Sequence, residues 1–176
     1  MNRTLGTSEH LHIQDPKVMV VNGNPAEMSV LTAESVQLKA QATDKLDAIV
    51  QSGRLLVKAG CVPPSYVDGM LAREQVLSTY LGNGIAIPHG RFEDLETVYR
   101  SGVSVLQLPE GVEWEPGEVA HLVIGLAARS DEYVAVLSNL VDLLHDPETT
   151  VQLVQATDPI LIVERLTRQR SETQWN

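Results

Sequence analysis

The chain has 176 residues, which is enough for about one domain of ordinary size plus a tail. It carries 23 acidic and 13 basic residues, and the resulting net charge of −10 would repel phosphate backbones, so we expect no nucleic acid partner. The single cysteine, Cys61, excludes an intrachain disulfide and leaves a cysteine-based zinc site without partners. The sequence shows neither an apolar run of roughly 18 residues nor a secretory signal, and we therefore expect a cytoplasmic protein without direct membrane insertion.

Apolar patterning divides the chain into three parts. Residues 1–28 mix charged, glycine and proline positions with one short apolar patch, and they are predicted to form a flexible N-terminal extension. Regular apolar spacing begins near Ser29, so residues 29–168 are predicted to form the folded domain. Residues 169–176 are polar and predict a frayed C-terminal tail.

The first half of the domain begins with a strand and two helices. Val36 and Leu38 alternate with polar neighbours, as in a half-buried strand. Asp44 is placed to cap a helix, and Gly60 suits the left-handed position that ends it. Two prolines before Ser65 predict the start of a second, shorter helix.

The second half alternates buried strands with helices. Residues 103–108 and 122–127 are apolar runs of strand length and predict central strands. Ser130 is predicted to cap a long helix, and two further helices are predicted after Asp146 and Asp158, each of which is followed by proline. Strands that alternate with helices indicate a layered α/β domain.

The stretch from Tyr80 to Gly90 contains the main candidate for a chemically active residue. An apolar run leads into Pro88, His89 and Gly90, so the imidazole lies where an extended segment ends. Such a histidine can act as an acid or base, a metal ligand or a nucleophile. Upstream, Gly82 and Gly84 either form a turn or present amides to an anion.

The other histidines make no ligand spacing with His89, so no metal site is predicted. His10 and His12 lie in the predicted extension. His121 begins an apolar strand, and His145 lies at a predicted helix end, where a cation is favourable.

Three segments resemble a known family: residues 70–74 together with 80–90, residues 109–112, and residues 122–132. They are similar to the enzyme IIA domain of the bacterial phosphoenolpyruvate-dependent sugar phosphotransferase system, in the mannitol/fructose class. The Ile-Gly-Leu-Ala-Ala-Arg sequence within the last segment favours the mannitol-type branch. The resemblance covers about four fifths of the chain and implies a three-layer α/β/α sandwich with a mixed central sheet flanked by helices.

The resemblance also implies an enzyme, a phosphotransferase that works without a cofactor. In it His89 accepts a phosphoryl group from the phosphocarrier HPr as a tele-phosphohistidine. His89 then passes the group to enzyme IIB, which works with the membrane enzyme IIC in the uptake of a sugar or sugar alcohol such as mannitol. Arg73 matches the family's arginine, whose guanidinium stabilises the phosphate charge.

One position departs from the family pattern. The mannitol branch carries a second active-site histidine in an Asp-Glu-His motif, and this chain has Tyr133 in its place. A phenol donates a hydrogen bond but does not become a cation near pH 7, so part of the expected charge stabilisation is missing. Either Tyr133 occupies the same pocket or His121 compensates for the change.

Two alternatives to sugar transport remain at this point. The first is a regulatory protein of the same fold that signals by binding a target, and Tyr133 and the N-terminal extension motivate it. The second is a plain binding module without phosphoryl transfer, resembling the cytoplasmic domains of anion exchangers. The presence of both His89 and Arg73 argues against the second.

Overall fold

The computed structural model describes residues 30–167, so the predicted extension, residues 1–28, and tail, residues 169–176, lie outside the described residues. The strands are β1 (Val36–Gln37), β2 (Tyr80–Gly82), β3 (Ile85–Ala86), β4 (Gly102–Glu115) and β5 (Glu118–Ala127). The helices are α1 (Lys45–Lys58), α2 (Tyr66–Val76), α3 (Tyr133–Leu144), α4 (Pro147–Gln155) and α5 (Pro159–Thr167), with short 3₁₀ helices at Ala33–Ser35 and Phe92–Thr97.

The strands form one mixed sheet in the order β1-β4-β5-β3-β2. β4 and β5 are an antiparallel hairpin, β1 runs parallel to β4, and β3 runs parallel to β5. The strands predicted at 103–108 and 122–127 are confirmed, and both are longer than predicted. The apolar pattern did not predict the extra residues, which are largely polar and lie near the hairpin turn. Backbone pairing within a hairpin extends strands beyond their apolar stretch.

Helices cover both faces of the sheet, and each face has its own core. On one face α1 and α2 pack with buried residues that include Ile49, Leu56 and Met70. On the other face α3, α4 and α5 contribute Leu140, Leu153 and Ile162. The predicted three-layer α/β/α sandwich is therefore confirmed. β5 lies between the two cores, which explains why its second half is apolar at nearly every position.

Three of the predicted helix boundaries are formed as expected. The Asp44 carboxylate accepts a hydrogen bond from the backbone N–H of Asp47 at 2.8 Å. Asp146 caps α4 in the same way, and Asp158 accepts from the N–H of Ile160 at 2.8 Å. These bonds satisfy backbone donors that have no partner inside their helices.

The predicted cap at Ser130 is wrong. α3 begins at Tyr133, and its N-cap is Glu132, whose side chain makes no capping bond. The carboxylate of Glu132 instead accepts a hydrogen bond from the Ser101 hydroxyl, and the same hydroxyl accepts from the N–H of Arg129 at 3.1 Å. A distant serine thus holds this turn, a contact that local spacing does not reveal.

Gln107 is a buried polar residue at the opposite face of the sheet from α1. Its amide nitrogen lies within 3.0 Å of the carbonyl oxygens of Leu153, Val154 and Ala156. These carbonyls lie at the carboxyl end of α4 and at its C-cap, Ala156, where helical N–H partners run out. Gln107 therefore fastens the end of α4 to β4. No helix within residues 30–167 is long and apolar enough to cross a bilayer.

Candidate functional site

The backbone around His89 is held between two strands. The N–H of Ile87 donates to the carbonyl of Thr79 at 2.9 Å, and the N–H of Leu126 donates to the carbonyl of Pro88 at 2.9 Å. His89 then pairs with Leu126 as a single parallel bridge. The histidine is therefore fixed at the carboxyl end of β5, where the apolar run of β3 continues.

The His89 ring has a defined tautomer. Its Nδ1 lies 2.7 Å from the carbonyl oxygen of Ile87, and a carbonyl oxygen only accepts, so Nδ1 carries the proton. In the neutral ring this leaves the lone pair on Nε2. The residue is 7% exposed, and Thr150 Oγ1 is the one buried side-chain polar atom without a partner in the described part of the chain. Nε2 is thus not a fully buried atom without a partner, and it retains some exposure to solvent.

Several groups act on the pKa of His89. Burial disfavours the charged imidazolium and has the largest effect, the hydrogen bond to Ile87 opposes it, and the charges of Arg73 and Glu74 lower and raise the pKa respectively. The net result is a pKa below the usual 6.5. At neutral pH the ring is therefore uncharged and its Nε2 lone pair is free.

Tyr66 clamps the segment that follows the histidine. Its hydroxyl donates to the carbonyl of Leu126 at 3.0 Å and accepts from the N–H of Gly90 at 3.0 Å. Burial raises the pKa of Tyr66 to about 12. A Cβ at position 90 would lie 2.6 Å from the Tyr66 ring, so the glycine is needed for this close approach. No local signal in the sequence pointed to this clamp.

Arg73 and Tyr133 lie at the same end of the sheet as His89. The guanidinium of Arg73 donates to the carbonyl of Leu77 at 2.7 Å, at the end of α2, and its charge lowers the pKa of both His89 and Tyr133. The ring centroids of Tyr133 and His89 are 5.9 Å apart. Burial outweighs the arginine and raises the pKa of Tyr133, so its phenol stays protonated. The structure therefore brings the three predicted site residues together.

The turn interpretation of the two glycines is confirmed, and the turn does not adjoin His89. Gly82 and Gly84 have φ angles of 103° and 77° and form the turn between β2 and β3. The carbonyl of Gly84 accepts from the N–H groups of His121 and Leu122. This turn lies at the amino end of β3, whereas His89 follows its carboxyl end.

The alternative in which His121 compensates for Tyr133 is wrong. His121 lies five residues before Leu126 on β5, which is roughly 16 Å along a strand at about 3.3 Å per residue. Its Nδ1 lies 3.2 Å from the carbonyl oxygen of Leu108. His145 is an exposed C-cap of α3, and His10 and His12 lie outside the described residues. Between residues 30 and 167 no cluster of three or more metal-ligating side chains occurs.

A neutral histidine beside an arginine, at the strand ends of a three-layer α/β domain, has the parts needed to carry a phosphoryl group. The family model described as "Phosphoenolpyruvate-dependent sugar phosphotransferase system, EIIA 2" matches residues 29–169. The chain belongs to this family and is a phosphotransferase component.

Relatives of the chain are longer proteins. The multiphosphoryl transfer protein of Xanthomonas campestris pv. campestris is 49% identical over 141 residues, which cover 80% of this chain and 17% of that protein. The mannitol-specific EIICBA component of Pasteurella multocida is 43% identical over 139 residues, covering 77% of this chain and 22% of that protein. The chain thus spans about a fifth of the length of these relatives.

Solved structures agree with the fold. The crystal structure of IIA mannitol from Escherichia coli matches with a TM-score of 0.72 and 41% identity, covering 77% of this chain and 98% of that chain. A complex of enzyme IIA and phosphorylated enzyme IIB for mannitol, also from E. coli, matches with a TM-score of 0.73 and 40% identity, covering 77% and 96%. The resemblance to the mannitol type is therefore confirmed.

The Tyr66 clamp predicts a loss of stability without its hydroxyl. In Tyr66→Phe the N–H of Gly90 and the carbonyl of Leu126 lose a buried partner, and we expect the free energy of unfolding to fall by about 1–3 kcal/mol in urea denaturation. Tyr99→Phe, at an exposed ring, is the matched control and should change it by less than about 0.5 kcal/mol. Equal effects of the two variants would contradict the clamp.

The lowered pKa of His89 predicts a titration midpoint below 6.5. Nuclear magnetic resonance of the ring protons against pH should show His89 losing its charge as the pH rises through that midpoint, so that it is neutral at pH 7. Arg73→Gln removes a positive charge that disfavours the imidazolium and should move the midpoint upward. A midpoint at or above 6.5 in the unchanged protein is incompatible with this account.

Proposed function

We propose that the chain carries phosphoryl groups from HPr to a cognate enzyme IIB, with His89 Nε2 as the acceptor. The observation that supports this most directly is the hydrogen bond from Nδ1 to the Ile87 carbonyl, which leaves the lone pair on the outward nitrogen. The carrier domain in this proposal is residues 29–168, acting in the cytoplasm. The product is a tele-phosphohistidine.

The chemical step needs no proton transfer at the attacking atom. The Nε2 lone pair of His89 forms a bond to phosphorus, and the bond from phosphorus to the donor breaks, with its electron pair returning to the donor. The ring then bears positive charge, which the Ile87 carbonyl stabilises through the proton retained on Nδ1. Transfer to enzyme IIB is the same step in reverse.

Arg73 supplies positive charge in this proposal. The phosphoryl group brings about two negative charges to a chain whose net charge is already −10, and transfer depends mainly on alignment and charge neutralisation. One guanidinium N–H of Arg73 is engaged with the Leu77 carbonyl, and the other donors of the fork remain for phosphate oxygens.

Tyr133 takes the position of the family's second histidine in this proposal. Its protonated phenol, 5.9 Å from the His89 ring between centroids, donates a hydrogen bond to a phosphate oxygen. It adds no cation, so the transition state receives less charge stabilisation than a histidine would give.

Exposed apolar side chains support docking of protein partners at this site. Phe92 is 87% exposed, and Val76, Leu77 and Val134 are also largely exposed. Each lies within four residues of Arg73, His89 or Tyr133 in the sequence. Apolar residues of this size at the surface favour protein contact. The matched complex of E. coli IIA with phosphorylated IIB is consistent with enzyme IIB as one partner.

The proposed pathway ends in sugar uptake through a membrane enzyme IIC. A relative that is 43% identical bears the name of a mannitol-specific component, which supports a mannitol-type sugar alcohol as the cargo. Regulation of a target protein is the second candidate, and the specific observation in its favour is Tyr133, which weakens the carrier chemistry.

Phosphorylation by HPr tests the main proposal. With phosphoenolpyruvate, enzyme I and HPr, intact-protein mass spectrometry should show one added phosphate. His89→Ala should take up none, and Arg73→Gln should be labelled about 100-fold more slowly because a charge partner is lost. His145→Ala, at an exposed histidine, is the matched control and should be labelled like the unchanged chain. An unlabelled chain, or a label that survives His89→Ala, would disprove the proposal.

The same assay tests whether position 133 takes part in the transfer. Tyr133→His restores a group that can be cationic, and we expect labelling about tenfold faster, which corresponds to about 1.4 kcal/mol of added stabilisation. Tyr133→Phe lacks the hydroxyl and should be slower than the unchanged chain. A rate that is the same in all three proteins would show that position 133 plays no part in transfer, and it would remove the observation that favours regulation.

A further inference from the structure

Glu74 is a buried carboxylate next to Arg73 in the last turn of α2. Its side chain is 1% exposed. Oε1 accepts from the indole N–H of Trp114 at 2.8 Å, and Oε2 accepts from the backbone N–H and the hydroxyl of Thr79 at 2.9 and 2.5 Å. One carboxylate thus joins α2 to β4 and to the segment that leads into β2.

A lysine balances the buried charge. The Lys45 ammonium of α1 lies 3.4 Å from Glu74 Oε1 and 2.9 Å from Glu115 Oε1. Burial acts against the charged lysine, but the hydrogen bonds and charges of the two glutamates outweigh it and raise its pKa. A buried carboxylate is costly unless it is paired and fully hydrogen-bonded, and Glu74 meets both conditions.

The Glu74 carboxylate is connected both to Arg73 and to the segment that holds His89. In one direction Arg73 is its neighbour along the helix. In the other, the carbonyl of Thr79 accepts from the N–H of Ile87, and the carbonyl of Ile87 accepts from Nδ1 of His89. Two hydrogen bonds, one between backbone groups and one from the ring to a backbone carbonyl, therefore link the residue that Glu74 holds to the histidine ring.

We propose that Glu74 is a positioning residue for phosphoryl transfer, because it fixes the helix end that bears Arg73 and, through Thr79, the extended segment that leads to His89. The inference rests on the proposed carrier function. Glu74 does not reach the phosphoryl group, since its oxygens are buried and occupied by Trp114, Thr79 and Lys45. Its effect is therefore on the rate of transfer and not on the binding of a partner protein.

Glu74→Gln tests the inference in the HPr assay. The amide keeps the size of the side chain, but its nitrogen is a donor that would face the donors of Trp114 or Thr79. We expect the rate constant at saturating phospho-HPr to fall by about 10- to 100-fold, as misplacement of about 1 Å can cause. KM for phospho-HPr should stay within about twofold. Labelling should still reach one phosphate per chain, which shows that the variant is folded.

Gln107→Leu is the matched control, because it removes another buried and fully bonded polar group that holds α4 and has no link to His89. Its transfer rate should stay within about twofold of the unchanged chain. Trp114→Phe keeps the carboxylate and removes one of its donors, and should slow transfer severalfold. This milder variant tests the inference if Glu74→Gln does not fold.

A double-mutant cycle with Arg73→Gln distinguishes positioning from general stability. If Glu74 acts through Arg73, Glu74→Gln should slow the Arg73→Gln protein by a smaller factor than it slows the unchanged chain. The inference would be overturned if Glu74→Gln slowed both proteins by the same factor. It would also be overturned if the transfer rate were unchanged in both the Glu74→Gln and the Trp114→Phe proteins, or if Gln107→Leu lowered the rate as much as Glu74→Gln. These results leave the carrier function standing if the unchanged chain is labelled, whereas an unlabelled chain overturns both proposals.

Discussion

The hydrogen bond from His89 Nδ1 to the Ile87 carbonyl is the interaction on which the chemistry of the molecule depends. It assigns the proton to the inner nitrogen and leaves the outer one as a nucleophile. The bond exists because the carbonyl belongs to a residue only two positions earlier, in extended backbone pinned to Thr79. A different register at this point would turn the ring and change which nitrogen meets a partner. The fold therefore acts on the reaction through one backbone oxygen.

The two ends of the sheet carry different groups of residues. Its carboxyl edge, beside the end of β5, holds His89 with Tyr133 at the start of α3, and Arg73 approaches from α2. The amino edge holds the turn at Gly84 and His121. Gly82 and Gly84, which look adjacent to the site in the sequence, are thus separated from it by several residues of extended chain. Sequence proximity misleads here because β3 is extended.

Much of the fold followed from local chemistry, and much of the site did not. Asp44 and Asp146 correctly predicted the starts of α1 and α4, because a helix cap is a contact within a few residues of the chain. The predicted cap at Ser130 was wrong because Ser101, far away in the sequence, holds that turn by accepting from the N–H of Arg129. Tyr66 and Glu74 were missed for the same reason: their partners lie 24 to 60 and 5 to 40 residues away, respectively. His89 was singled out by its local sequence, Arg73 and Tyr133 were found through the resemblance, and the grouping of the three in space needed the structure.

The net charge of −10 is compatible with the proposed acceptance of a doubly charged group because the buried charge is balanced locally. Glu74, the carboxylate nearest to Arg73 in the chain, faces inward and is balanced by Lys45, so Arg73 is left to the outer side. In the proposed carrier function, an acidic surface would attract a partner with a basic docking face over a distance of about a Debye length, roughly 8 Å at physiological ionic strength. At shorter range the phosphoryl group of that proposal would meet Arg73 and the neutral His89. The proposed function thus assigns long-range repulsion of free phosphate and short-range acceptance of a protein-bound phosphoryl group to the same charge distribution.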